Sequence, residues 1–204
     1  TEVISAGHVR KNQKERLSML PAWAWPCNTF GNHDSSRSYS SYGDGKHNEQ
    51  QAKLYLMLLL TLKGTPFLYN GEEIGMSDYA LSDPGQFRDP LSTLFYGWAK
   101  SMLGLSEKEA IQVGATRGRD KCRTPMQWSP EANGGFSPAG VTPWLPVNPD
   151  YQHGVNVATQ LEKPGSLLSF YQRMLKLRKQ SQALRLGDFV MLESGTNEVL
   201  LYER

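Results

Sequence analysis

The residues best suited to chemistry stand together in one turn: Asn32, His33 and Asp34, inside WPCNTFGNHDSSR at residues 25–37. Asp34 offers a carboxylate acceptor, and His33 beside it offers an imidazole donor. Residues 26–30 read as a short buried strand that runs straight into this turn, so the three polar side chains fall at its C-terminal end. In a parallel α/β barrel that end is where catalytic side chains project, because the strands hold the backbone while the loops stay open to a ligand. Gly31 lets the chain bend sharply before the polar group without a Cβ clash. A His-Asp turn by itself is more often a local hydrogen-bonded loop than a site. Its surroundings decide between the two.

The elements that must hold this turn can be read on either side of it. Residues 3–20 form a modest helix ending before Pro21, with Arg10, Lys11 and Lys14 on a solvated face. After the turn, Asn48 and Gln51 have the spacing of a helix N-cap and its capping-box partner, with Glu49 in the first turn. From Leu54 onward the helix is apolar on nearly every side, which predicts burial on more than one face. Gly64 is placed to stop it with a left-handed cap. Residues 65–70 are a short apolar strand ending in another polar turn, Gly71-Glu72-Glu73. This succession of strand, polar turn, helix, glycine stop and strand is the rhythm of a β/α barrel.

Residues 77–160 hold most of the prolines and Trp-rich loops, with one helix over 91–103. A loop region of that length builds a binding surface or caps a barrel. Ser166 opens an amphipathic helix with Leu167, Phe170, Tyr171, Met174, Leu175 and Leu177 as its stripe and Arg173, Lys176, Arg178 and Lys179 outside. Gly187 ends that unit, and residues 189–192 and 199–202 flank Ser194-Gly195-Thr196-Asn197 as a β-hairpin.

Composition excludes several functions. A chain of 204 residues with 39% hydrophobic content can bury a core, and a net charge of +2 implies neither a nucleic-acid nor an anionic-membrane partner. Cys27 and Cys122 make no disulfide framework and no metal-ligand spacing. Asp44-Gly45-Lys46 lacks the alternating oxygen ligands of a calcium loop and reads as a turn. Neither a metal nor a cofactor is expected. The longest apolar run, residues 54–60, is too short to cross a bilayer. No signal segment opens the chain and its first residue is Thr1, so an incomplete chain in a cytoplasmic setting is expected.

Three strings carry a family resemblance. FGNHDSSR resembles the fourth conserved region of the α-amylase superfamily, glycoside hydrolase family 13. GTPFLYNGEEIGM at residues 64–76 is similar to the eighth-strand region of its α-glucosidase and oligo-1,6-glucosidase branch. GRDKCRTPMQW at residues 118–128, followed by GGFS, PWLPVNPDY and GVNV, resembles the segment that this branch carries before its last barrel helix. The resemblance runs through essentially the whole chain, in order. It implies the C-terminal portion of a (β/α)8 TIM barrel, strands seven and eight with their helices, at residues 1–186. Residues 187–204 would then begin an all-β domain.

The implied chemistry is retaining hydrolysis of α-glucosides in short α-glucans or maltose- and isomaltose-type oligosaccharides. It proceeds through an oxocarbenium-like transition state between two carboxyl groups. By resemblance Asp34 is a third, catalytic carboxylate that grips sugar hydroxyls as charge develops, and His33 donates to the same ring. Arg119 matches the arginine that reaches the sugar, whereas Arg123 and Asp120 are expected to shape the RTPMQW loop. Glu73 is expected to satisfy loop amides, and Trp128 and Trp144 to anchor packing. Ser41 stands where many members carry a second arginine. The family's nucleophilic aspartate and acid/base glutamate lie on its fourth and fifth strands, and no stretch of this chain matches either motif. A trehalose synthase or other transglycosylating relative is the enzymatic alternative. A non-catalytic interaction protein like the transporter heavy chains is the alternative of another class.

Overall fold

The strand that ends in the Asn-His-Asp turn and the strand that ends in Gly71-Glu72-Glu73 are parallel neighbours, as the sequence predicts. The computed structural model describes residues 4–21 and 23–204. Its elements in chain order are α1 (Ala6–Met19), β1 (Cys27–Thr29), α2 (Ser38–Ser41), α3 (Asn48–Thr61), β2 (Thr65–Phe67), α4 (Pro90–Ser101) and α5 (Glu107–Arg117). Then follow α6 (Val157–Glu162), α7 (Leu167–Gln180), α8 (Gln182–Leu186), β3 (Val190–Leu192) and β4 (Leu201–Glu203). Two compact units divide them. One contains residues up to Phe30, Tyr42–Leu68 and Phe170–Arg204, and the other contains Gly31–Ser41 and Tyr69–Ser169.

In the first unit β1 pairs with β2 in the register Cys27↔Thr65, Asn28↔Pro66 and Thr29↔Phe67. The strand expected to be buried throughout alternates instead: Cys27 and Thr29 are exposed and Asn28 is buried. A polar residue can occupy the inward position because its amide is satisfied. Asn28 donates to the Lys63 carbonyl at 3.1 Å and accepts from Arg16 Nη2 at 2.7 Å. Gly64 has φ +135°, and a Cβ there would stand 2.6 Å from the Pro26 carbonyl, so glycine is required where the chain closes onto β1.

That same glycine does not cap α3 as expected. The helix ends at Thr61, with Leu62 already extended. Of its last carbonyls, Leu60 O accepts from Arg178 at 2.6 Å and Thr61 O from Arg204 at 2.6 Å; Arg178 also reaches Gly64 O at 2.7 Å beyond the helix, so it faces inward and not outward. The start of α3 also differs. His47 is the N-cap, while Asn48 accepts from Gly45 N and Gln51 from Asp44 N. Asp44 organises this turn by accepting the Lys46 and His47 backbone N–H groups at 2.8 and 2.6 Å. These bonds, that from the His47 backbone first, together with one to the His47 ring at 2.9 Å, bring its carboxyl to a pKa of about 2. α3 buries Tyr55, Leu56, Leu58, Leu59 and Leu60, as its apolar run predicts.

The sequence-predicted helix over residues 3–20 appears as Ala6–Met19, capped by Ser5, which accepts from His8 N. Its first expected residue, Val3, lies outside the described residues. Arg10 and Lys14 are not simply solvated. Arg10 Nη2 donates to Ser194 Oγ, Thr196 O and Val199 O, and Lys14 pairs with Glu193 at 2.7 Å. They hold the loop of the antiparallel hairpin β3–β4, whose register is Val190↔Glu203, Met191↔Tyr202 and Leu192↔Leu201.

The second unit is built on two apolar clusters. Ile74, Met76, Met126 and Leu168 form one, and Leu81, Phe87, Ala115 and Leu145 the other. The helix expected over residues 91–103 is α4, with Asp89 as N-cap and Pro90 in its first turn. Helix α5, which packs beside it, was legible in Ser-Glu-Lys-Glu: Ser106 and Glu109 form a complete capping box. Ser166 starts α7 as predicted, accepting from Ser169 N at 3.1 Å.

Candidate active site

The Asn-His-Asp turn folds on itself first. Asn32 Oδ1 accepts the Asp34 backbone N–H at 2.7 Å, which locks the turn locally. Gly31 leaves room here for the Glu72 carboxyl: a Cβ would meet Glu72 Oε1, the end of a side chain, and the φ of Gly31 is not in the left-handed region. The turn is then fixed from the segment at residues 119–123. Arg123 Nε donates to the His33 carbonyl at 2.7 Å, and Arg123 Nη2 and Arg119 Nη1 both donate to Asp34 Oδ1, at 2.8 and 2.9 Å. His33 Nε2 stands 3.5 Å from Asp34 Oδ2. All three sequence-predicted site residues, Asp34, His33 and Arg119, therefore meet. Asp34 remains 54% exposed at its side chain, open to a ligand.

Arg123 and Asp89 are the members of this cluster that the sequence reading missed. Arg123 was expected only to shape its loop, yet it contributes as directly to Asp34 as Arg119 does. Asp89 is fully buried and binds the other edge of Arg119, receiving Nε at 3.0 Å and Nη2 at 2.8 Å. The Asp89-Pro90 pair signals a helix start. Nothing in that signal reveals an arginine thirty residues on. Asp120 shapes the loop as expected: it accepts the Arg88 and Asp89 backbone N–H groups. Glu73 takes the predicted structural role, accepting the Gly71 N–H at 2.8 Å. Trp144 anchors the Arg123 backbone, donating its indole N–H to the Arg123 carbonyl at 3.2 Å and meeting Phe136 edge-on.

Electrostatics follow from these pairs. Desolvation raises the Asp34 pKa, but hydrogen bonds and charge from Arg119, His33 and Arg123 outweigh it and hold the carboxyl below its ordinary value. Arg119 is raised, chiefly by its hydrogen bond to Asp89. The Arg119 side chain holds Asp89 down at about 2 against desolvation. A carboxyl lowered from its unfolded value of about 3.9 stabilises the fold above that pH and loses the contribution as pH falls through the folded value. The Asp89 share is about 2 kcal/mol, lost between roughly pH 4 and pH 2. Urea titrations over this range should show the loss, and in Asp89→Asn that part of the pH dependence should disappear.

A family model of the α-amylase catalytic domain matches residues 3–187. The chain belongs to that family. Oligo-1,6-glucosidase of Parageobacillus thermoglucosidasius is 33% identical over 201 residues, covering 98% of this chain and 35% of that protein. The α-glucosidase of Pediococcus pentosaceus is 38% identical over 176 residues, covering 85% of this chain and 31% of that protein. Among solved structures, trehalulose synthase MutB superposes with a TM-score of 0.83 at 30% identity, over 99% of this chain and 36% of that one. Trehalose-6-phosphate hydrolase of Bacillus licheniformis gives 0.83 at 32% identity, over 98% and 36%. The fold family is that of the (β/α)8 glycosidases. This chain spans about a third of the length of the curated relatives it matches. Among the described residues no helix is long and apolar enough to cross a membrane, and no group of three His, Cys, Asp or Glu is placed to hold a metal ion.

Proposed function

We propose that this chain supplies the substrate-gripping part of a retaining α-glucoside hydrolase acting on short α-glucans or maltose- and isomaltose-type oligosaccharides. Residues 1–186 are strands seven and eight of the barrel with their helices, and residues 187–204 open an all-β domain. Asp34 is the transition-state-binding carboxylate, His33 a donor to the same sugar ring, and Arg119 a substrate-binding and orienting cation. The nucleophile and the acid/base stand on strands outside this chain. The observation that carries the reading is Asp34 itself: an exposed carboxylate gripped through one oxygen by Arg119 and Arg123, at the end of a strand in a glycosidase-family chain.

A carboxylate held charged in this way suits a hydroxyl-binding role beside an oxocarbenium-like centre. It does not itself supply the pair of carboxyl groups that breaks the bond. Accordingly the 204-residue chain alone should release no nitrophenol from 4-nitrophenyl α-D-glucopyranoside above a matched blank, while the full-length enzyme containing it should turn the substrate over. Turnover by the isolated chain, or none by the full-length protein, overturns the proposal. The likeness to trehalulose and isomaltulose synthase structures favours sugar transfer as the second reading. Glucose as the dominant product from maltose or isomaltose would decide for hydrolysis.

A further inference from the structure

Arg119 is held on two sides at once. Asp89 receives its Nε and Nη2 edge, and its backbone N–H as well at 2.8 Å, while Nη1 reaches Asp34. Asp89 is itself fixed. Its backbone N–H donates to both oxygens of Asp120, at 2.9 and 3.1 Å, and its Oδ1 accepts the Leu91 N–H at the start of α4. We propose that Asp89 is a positioning residue: it occupies the fork of Arg119 so that Asp34 receives only one of that arginine's N–H groups and keeps its second oxygen for a sugar hydroxyl. This rests on reading Asp34 as the sugar-binding carboxylate.

The reason is geometric. A guanidinium and a carboxylate left to themselves pair through two parallel N–H···O bonds. Asp89 already takes such a two-point contact, so Arg119 meets Asp34 through Nη1 alone. Arg123 lands on the same Oδ1 through Nη2, because its Nε is committed to the His33 carbonyl. Both arginines thus converge on one oxygen. Oδ2 faces His33 Nε2 at 3.5 Å, beyond a good hydrogen bond, and stays able to accept from a ligand. Charge points the same way. Two guanidinium groups face two carboxylates in this cluster, and removing Asp89 would leave Asp34 as their sole counter-charge. Arg119 would then be drawn to chelate both Asp34 oxygens, and the hydroxyl acceptor would be lost.

Two substitutions separate this role from helix capping. Asp89→Ser keeps an N-cap oxygen for the Leu91 N–H but has no carboxylate, and Asp89→Asn keeps the volume without the charge. In the full-length enzyme both should lower kcat for 4-nitrophenyl α-D-glucopyranoside roughly tenfold to a hundredfold, with a smaller change in KM. In an Arg119→Ala background the same Asp89 changes should have little further effect. An equal factor in both backgrounds would make Asp89 a structural cap and end the proposal. A carbon-13 titration of the Asp34 carboxyl gives a reading independent of turnover. Its midpoint should fall in Asp89→Ser, and most of that fall should vanish in the Arg119→Ala background. An unmoved midpoint, or the same fall in both backgrounds, overturns the inference. If instead Asp34→Asn leaves turnover unchanged while the Asp34 midpoint shifts as described, the sugar-binding reading fails and the hold of Asp89 on Arg119 stands.

Discussion

Asp34→Asn in the full-length enzyme is expected to lower kcat for an aryl α-glucoside about a hundredfold or more, with a melting temperature close to the parent's. The substitution keeps the size of the side chain and its place in the turn. It replaces a charged acceptor, held by Arg119 and Arg123, with a neutral amide. If the carboxylate binds hydroxyls more strongly as the anomeric carbon becomes positive, the loss falls on the transition state and shows in kcat. Little stability should go with it, because Asp34 is half exposed and exposed ion pairs contribute little to folding. His33→Ala should be milder, since a neutral donor contributes less than a carboxylate. Arg119→Ala should raise KM, because its contacts to sugar hydroxyls exist in ground and transition states, and lower kcat, because Asp34 loses one of the two guanidinium groups that hold it. Steady-state kinetics with parallel melting curves check all three. An Asp34→Asn enzyme with near-parental kcat and an intact melt would make this turn an ordinary loop.

What the sequence showed and what it concealed divide along the distance of the interaction. The two parallel strands, α3, α4 and α7 were legible because apolar spacing and glycine or proline punctuation are local signals. The Asn-His-Asp turn stood out because it lies at a strand end and belongs to a long recognisable string. Errors came where a distant residue took over a local task. Arg178 and Arg204 take carbonyls at the end of α3 in place of a glycine cap. Asn48 serves the Asp44 turn in place of capping its own helix. Arg123 and Asp89 share no pattern with Asp34 along the chain, and only folding brings them to the site. The Ser106–Glu109 capping box was a local signal that the sequence reading passed over, and α5 went with it.

Arg37 closes the FGNHDSSR string, and its replacement should have the largest effect on stability. It is 1% exposed, donates Nη1 to the Asn70 carbonyl at 2.9 Å, and lies 4.9 Å over the Tyr69 ring. Its backbone N–H binds Asp78 Oδ1 at 2.8 Å, three residues from Asp34. Burial lowers the Arg37 pKa, and the field of Tyr69, Cys122, Asp78 and Glu72 acts against that fall. Glu72 mirrors it. Burial raises its carboxyl, and bonds from the Tyr69 backbone and the Ser38 side chain, together with the Arg37 charge, oppose the rise. Arg37→Met keeps most of the volume but leaves Asn70 O without this donor and Glu72 without its counter-charge. Removing one partner from a buried charged set costs on the order of 3 kcal/mol, which lowers the melting temperature of a chain this size by about 10 °C. The pH dependence identifies the cause. A carboxyl whose folded pKa lies above the unfolded value destabilises the fold as pH rises through that interval, so without Arg37 the deficit should be larger at pH 8 than at pH 5. Adding Glu72→Gln should recover at least about 1 kcal/mol of the loss. Urea titrations of the parent, both single variants and the double variant at the two pH values measure this coupling. Additive effects, or a deficit independent of pH, would show that Arg37 acts through packing against Tyr69 and not through its charge.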